Sequence, residues 1–201
     1  MNISISKIVI VIAITLTLVG SFGNSRFFEF LYFLKISNSF GLYSFYDFNQ
    51  TYFVFGEYWR LVSPTFLHFS LTHLVFNCLW IFVLGERIEK LDGLLLFTCL
   101  ILIGSVISNF SQYYVSNNPL FGGLSGAVYS LLGFCYIREF IFHKTNYGLP
   151  PALYIFMLAW LLLGYTGFLE IFGFKIANTA HLAGLLVGVI IAILKGPQKA
   201  M

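Results

Sequence analysis

The sequence predicts an all-α membrane protein of six transmembrane helices with both termini cytoplasmic, and three observations carry that expectation. Of the 201 residues, 59% are hydrophobic and 9% charged, and mean hydropathy is +0.87, whereas about a quarter of a soluble domain is charged. The charges that are present leave long uncharged stretches at 8–25, 61–85, 93–137, 145–169 and 176–194, and a helix needs about 20 such residues to cross about 30 Å of hydrocarbon. The third observation is the placement of Lys and Arg. With the N-terminus inside, the inner segments hold seven (Lys7, Arg87, Lys90, Arg138, Lys144, Lys195, Lys199) and the outer segments four (Arg26, Lys35, Arg60, Lys175), which is the bias that orients spans.

The elements follow in order. The first apolar stretch predicts a helix near 8–24. Lys7, a short apolar core and Gly20-Ser-Phe-Gly23 also fit a cleavable secretory leader, but cleavage would place Lys195 and Lys199 outside, against the charge bias, so the segment is read as the first span. The second helix is predicted near 66–84. The 45-residue stretch 93–137 has room for two helices, near 93–109 and 122–138, divided by Ser108-Asn-Phe-Ser-Gln-Tyr-Tyr-Val-Ser-Asn-Asn-Pro119, a run too polar for lipid that ends in a turn signal. The last two are predicted near 150–168 and 177–194. Backbone groups in lipid must bond within their own segment, which leaves helix as the form of each single span. The whole chain, 1–201, reads as one transmembrane domain.

Composition also narrows the function. There is no basic tract with interleaved aromatics, so nucleic acid is not an expected partner. Cys78, Cys99 and Cys135 lie in apolar stretches without CxxC or CxxH spacing and read as small apolar residues. Neither a metal nor a cofactor is expected: HExxH is absent, and His68 and His73, five apart, would splay on a helix.

The charge-derived topology brings helices 2, 4 and 6 in from the outer side, with His68 and His73 early in helix 2, Ser125 early in helix 4 and His181 early in helix 6. Ser125 stands in Gly122-Gly123-Leu-Ser125-Gly126. Alone, such a serine fits helix packing, because the small residues around it let helices approach; it is not the GxSxG elbow of soluble hydrolases, since residue 127 is alanine. His181 shares a helical stripe with Gly184 and Gly188, a small-xxx-small pattern that draws two helices together. A serine and a histidine at one depth supply a nucleophile and its base. The acids sit in loops or at helix ends, so a Ser–His dyad is expected rather than a triad. Tyr129, one turn after Ser125, can lie against His181. His73 and Asn77, four apart, can donate to a developing oxyanion.

Together Trp59-Arg60, His68-x4-His73-x3-Asn77, Glu86-Arg87-x-Glu89, Gly123-Leu-Ser125-Gly126 and Ala180-His181-x2-Gly184-x3-Gly188 resemble the rhomboid intramembrane serine proteases, most closely the compact bacterial six-helix form, from about residue 56 to 194. The resemblance implies a rhomboid-like bundle in the bacterial inner membrane, with its active site toward the outer face. It implies Ser125 as nucleophile and His181 as general base, with Asn77, His73 and the Ser125 backbone N–H as oxyanion hole. Tyr129, His68, Gly123, Gly126, Gly184 and Gly188 are implied as supporting residues, Glu89 as a brace of the inner helix ends, and Phe156 and Trp160 as a gate facing helix 2. The implied activity is peptide-bond hydrolysis in or near transmembrane segments of membrane-protein substrates. The alternative is a non-catalytic rhomboid-like factor that binds such segments, a class that usually lacks the serine or the histidine. Two departures stand out: the stretch after Gly164 is a few residues longer than in the type form, and Pro64 stands where a polar residue is common. Substrate identity and oligomeric state are not legible.

Overall fold

The computed structural model describes residues 4–39, 42–143, 147–172 and 176–197; Lys144, Lys175 and Lys199 of the charge count lie outside them. Among the described residues six α-helices run in chain order: α1 (Ile5–Val19), α2 (Leu71–Asp92), α3 (Leu94–Ser116), α4 (Ser125–Tyr136), α5 (Pro151–Tyr165) and α6 (Asn178–Lys195). Three of them, α2, α3 and α6, are long and apolar enough to cross a membrane, while α1 and α5 are shorter apolar helices. The chain is an integral membrane protein.

The local chemistry explains where these helices start and stop. Ser70 caps α2, its hydroxyl accepting from the His73 N–H, so the helix starts at Leu71 rather than at 66 and His68 lies in the loop before it. That displaces the expected splay of the two histidines: their rings meet edge to face with centroids 5.0 Å apart. The polar run after residue 107 does not break α3, which continues to Ser116 and ends at left-handed Asn117. Ser108 and Asn109 of that run are buried in protein. The Asn109 amide donates to the Leu61 carbonyl and to Thr65 Oγ1, and Gln112 Oε1 accepts from the Ala180 N–H at the start of α6. Residues 117–124 then form a loop, and α4 begins only at Ser125. A π-helical turn, Ile137–Ile141, continues α4 beyond Tyr136.

Between α1 and α2 the chain is not wholly helical. A two-stranded antiparallel hairpin, β1 (Ile36–Ser39) with β2 (Leu42–Phe45), pairs Ile36 with Phe45 and Ser37 with Ser44. This segment lies outside the predicted spans, where backbone groups are not confined to a single helix, so an open hairpin is tolerated. It joins the bundle through Phe33, Phe48, Tyr52, Tyr113 and Phe121, whose rings form one cluster.

At the centre stands α4, with every residue from Gly126 to Cys135 buried. It packs against α6 at backbone distance. A methyl group on Gly184 would overlap the Gly126 carbonyl, one on Gly188 the Ser130 carbonyl, and one on Gly133 the Leu185 carbonyl. Such close contact is how helices associate when lipid offers no hydrophobic gain from leaving it. The helix ends away from Ser125 are bonded by charge. Glu89 of α2 accepts from the Ser6 N–H and the Ser4 hydroxyl at the start of α1, and Lys7 pairs with Glu86 at 3.1 Å. Asp92 accepts from Lys195 Nζ at 2.8 Å and from the Tyr147 hydroxyl at 2.6 Å, beside buried Arg138. The start of α1 and the end of α6 therefore share the α2 C-terminal end of the bundle, opposite the ends that carry His73, Ser125 and His181.

Candidate active site

Ser125 is the first residue of α4, and His181 lies in the first turn of α6. The glycine contacts between these helices bring the two side chains together: His181 Nε2 lies 2.8 Å from Ser125 Oγ. With Nδ1 protonated, Nε2 accepts the serine O–H, the arrangement in which an imidazole takes a hydroxyl proton. His181 is 5% exposed and Ser125 half-buried, so the hydroxyl can be reached while the base is shielded. Tyr129 stacks on the imidazole at 4.6 Å and 23°, and its hydroxyl donates to the Met157 carbonyl of α5 at 2.8 Å. Among the described residues His181 Nδ1 has no hydrogen-bond partner, so no carboxylate orients the ring; the stacked tyrosine and the α4–α6 packing do.

Gly123 shapes the ground in front of the serine. Its φ is +116°, a conformation that L side chains rarely adopt, and a Cβ there would lie 2.5 Å from His73 Cε1, 2.6 Å from His73 Nε2 and 3.3 Å from Asn77 Nδ2. The His73 ring and the Asn77 amide thus converge on the backbone two residues before Ser125. Asn77 Nδ2 is buried and donates to no described residue, leaving its N–H groups available to an acceptor. Gly122 and Gly123 are held from below by the loop before α2: the Gly123 N–H donates to the Pro64 carbonyl at 3.0 Å, and a methyl group on Gly122 would press on Leu67 and Pro64. The bond to the serine loop at position 64 is thus made by the main chain, not by the side chain in which Pro64 departs.

The remaining expected residues fall as follows. Buried His68 reaches the same loop, accepting the Leu124 N–H at Nε2 (3.4 Å). Gly126 faces Ser108 of α3 and the Ala180 carbonyl of α6, and Gly184 and Gly188 form the α6 side of the seam. Phe156 and Trp160 of α5 form an aromatic cluster with Phe76 of α2, each ring centroid 6.3 Å from that of Phe76. Phe76 was not singled out from the sequence, although its place beside Asn77 and four before Trp80 was a usable signal. His68 and His73 are not joined by a third metal-type ligand among the described residues.

The fold thus sets a serine hydroxyl within hydrogen-bond reach of a histidine ring, with the Asn77 amide and the His73 ring beside Gly123, inside a helical membrane protein. Comparison gives the family. Residues 55–198 match the Rhomboid domain, and the chain belongs to the rhomboid family. Among its relatives is the Rhomboid protease GlpG of Serratia proteamaculans, 41% identical over 136 residues, 68% of this chain and 48% of that protein. That of Klebsiella pneumoniae is 40% identical over 147 residues, 72% of this chain and 52% of the relative. That of Haemophilus influenzae is 38% identical over 135 residues, 67% and 68% respectively. The chain spans about half the length of the Serratia and Klebsiella proteins it matches.

Proposed function

We propose that this chain is an intramembrane serine endopeptidase that uses a Ser125–His181 dyad to hydrolyse peptide bonds in or near transmembrane segments of other membrane proteins. The observation that carries the reading is the 2.8 Å contact between His181 Nε2 and Ser125 Oγ at the head of two glycine-packed helices. The family resemblance to GlpG proteases supports the same class.

The chemistry follows from the geometry. Nε2 takes the hydroxyl proton as Oγ attacks the scissile carbonyl carbon. The carbonyl oxygen becomes an oxyanion, stabilised by the Ser125 N–H, the Asn77 amide and His73. The tetrahedral intermediate collapses, the C–N bond breaks, and the imidazolium returns the proton to the departing amine. Water, deprotonated by the same imidazole, then opens the acyl-enzyme and regenerates Ser125. A carboxylate is not essential to this cycle, since the Tyr129 ring and the helix seam fix the imidazole.

The site is read as facing the outer side of a bacterial inner membrane, six spans with both ends inside, because the inner segments hold the greater share of Lys and Arg. With its π-helical continuation to Ile141, α4 rises at most about 25 Å at ~1.5 Å per residue, short of about 30 Å of hydrocarbon, so Ser125 is read as starting below the outer surface, with water reaching it from the polar loop side. Substrate helices are read as entering between α2 and α5, where the Phe76, Phe156 and Trp160 rings meet. The peptide must be locally unwound, because a helical carbonyl is already bonded.

The test is cleavage of a single-span substrate in detergent or liposomes by wild-type chain and by Ser125→Ala. Loss of cleavage in the variant, at unchanged unfolding, is the expected result. Retained cleavage removes Ser125 as nucleophile.

A further inference from the structure

The matched family region begins at residue 55, which leaves α1 outside it. Yet α1 touches the active-site scaffold directly. Thr17, in its last turn, is fully buried, and its Oγ1 lies 3.4 Å from His68 Nδ1. A hydroxyl on an apolar helix turned wholly toward protein is costly to place without a partner. His68 Nε2 in turn accepts the Leu124 N–H, in the Gly123–Leu124 peptide, one before the peptide that carries the Ser125 N–H. These bonds fix the tautomer. An imidazole nitrogen that accepts an N–H carries no proton, so the proton sits on Nδ1, where the Phe66 carbonyl at 3.3 Å and Thr17 Oγ1 are the acceptors. A relay therefore runs from α1 through His68 to the backbone that presents the nucleophile.

From this contact chain we propose that Thr17 is a positioning residue of the site: its hydroxyl holds the His68 ring in the Nδ1–H form and rotation that anchors the Leu124 peptide, and so sets the orientation of the Ser125 N–H and Oγ. Two further contacts make α1 a rigid arm. Glu89 bonds its first turn, and the Phe28 ring is packed so closely on Gly20, just past its end, that a methyl group there would overlap it. Thr17 is thereby held at a fixed height against His68. The proposal rests on the hydrolase reading above for its kinetic consequence, not for its geometry.

The experiment compares wild-type chain with Thr17→Val, which keeps the shape and removes the hydroxyl, and Thr17→Ser, which keeps the hydroxyl. Loss of one buried hydrogen bond corresponds to a fall of about threefold to tenfold. That fall is expected in kcat for Thr17→Val, with KM nearly unchanged, and Thr17→Ser is expected to restore the rate. In a His68→Ala background Thr17→Val should have no further effect, because the two act through one path. Should Thr17→Val not fold, Thr17→Ala is the second variant. A readout independent of turnover uses 15N-histidine spectra, which are simple because the chain holds four histidines. In the wild type His68 should show an unprotonated Nε2, and Thr17→Val should shift the His68 nitrogens and the Leu124 amide. Unchanged kcat in Thr17→Val, or additive loss in the His68→Ala background, overturns the proposal. Unmoved His68 and Leu124 resonances overturn it whether or not the wild type cleaves. A wild type without Ser125-dependent cleavage whose resonances do move overturns the hydrolase reading instead.

Discussion

Asn77 and Gly123 divide the work beside the serine in a way that can be measured. Gly123 supplies room and a positive φ; Asn77 supplies a buried amide donor with no described partner. A donor that meets charge only in the transition state lowers kcat when removed and leaves KM alone. Asn77→Ala is therefore expected to reduce kcat by about 10²-fold with KM nearly constant. Steady-state kinetics on a single-span substrate check it, and a raised KM with unchanged kcat would assign Asn77 to ground-state binding. The sequence made much of this legible. Ser125, His181 and Tyr129 could be paired because charge placement set their depth and the glycine stripe set the face. Thr17 and Phe76 could not be found that way. A threonine in an apolar span has no periodic signature, and its partner His68 looked like part of a helix. The Ser70 cap, a single hydroxyl three residues before His73, decided otherwise and brought the two imidazoles side by side.

Among the elements, the α4–α6 seam decides whether the dyad exists. Gly188 lies against the Ser130 carbonyl so closely that no side chain fits, and overpacking of this kind costs about 1–3 kcal/mol. Gly188→Ala is expected to lower resistance to SDS unfolding by that amount and to reduce Ser125 reactivity in the fraction that stays folded, since separating the helices lengthens the Oγ–Nε2 contact. Unfolding followed by circular dichroism, together with serine labelling, checks both effects. Helix existence was legible from hydropathy alone, while helix ends were not. The polar run of α3 illustrates why. Read against lipid, Asn109 and Gln112 are breakers; read against protein, they are bonded to Leu61, Thr65 and Ala180, and only the packed bundle distinguishes the two surroundings. The hairpin before α2 was missed for the opposite reason, since a loop outside the spans carries no hydrophobic period to follow.

Taken whole, the molecule separates an end tied together by charged bonds from the opposite end, which carries Ser125 and His181. Asp92 gathers Lys195 of α6, Tyr147 of the segment before α5, and Arg138 beside α4, so one carboxylate joins four parts of the fold. The Asp92 and Arg138 side chains are 1% and 0% exposed, and removing one member of a buried charged group leaves the others poorly compensated. Asp92→Ala is expected to destabilise the bundle by about 3 kcal/mol in SDS titration, without changing the kcat of molecules that remain folded, because the site lies at the other end. A selective loss of kcat at wild-type stability would place Asp92 in the site's machinery instead. This cluster was not legible in the sequence. Its members are spread from residue 92 to 195, and each alone reads as an ordinary loop charge or, for Tyr147, an ordinary aromatic.

The central claim is that His181 activates Ser125 as a nucleophile. It is tested most directly by the rate at which a fluorophosphonate modifies the purified, folded protein, with intact mass and peptide mapping to locate the adduct. The expected result is one adduct, on Ser125, absent in Ser125→Ala and slowed by at least about 10³-fold in His181→Ala. A folded wild-type chain that takes no label, or a His181→Ala chain labelled as fast as wild type, would contradict the dyad.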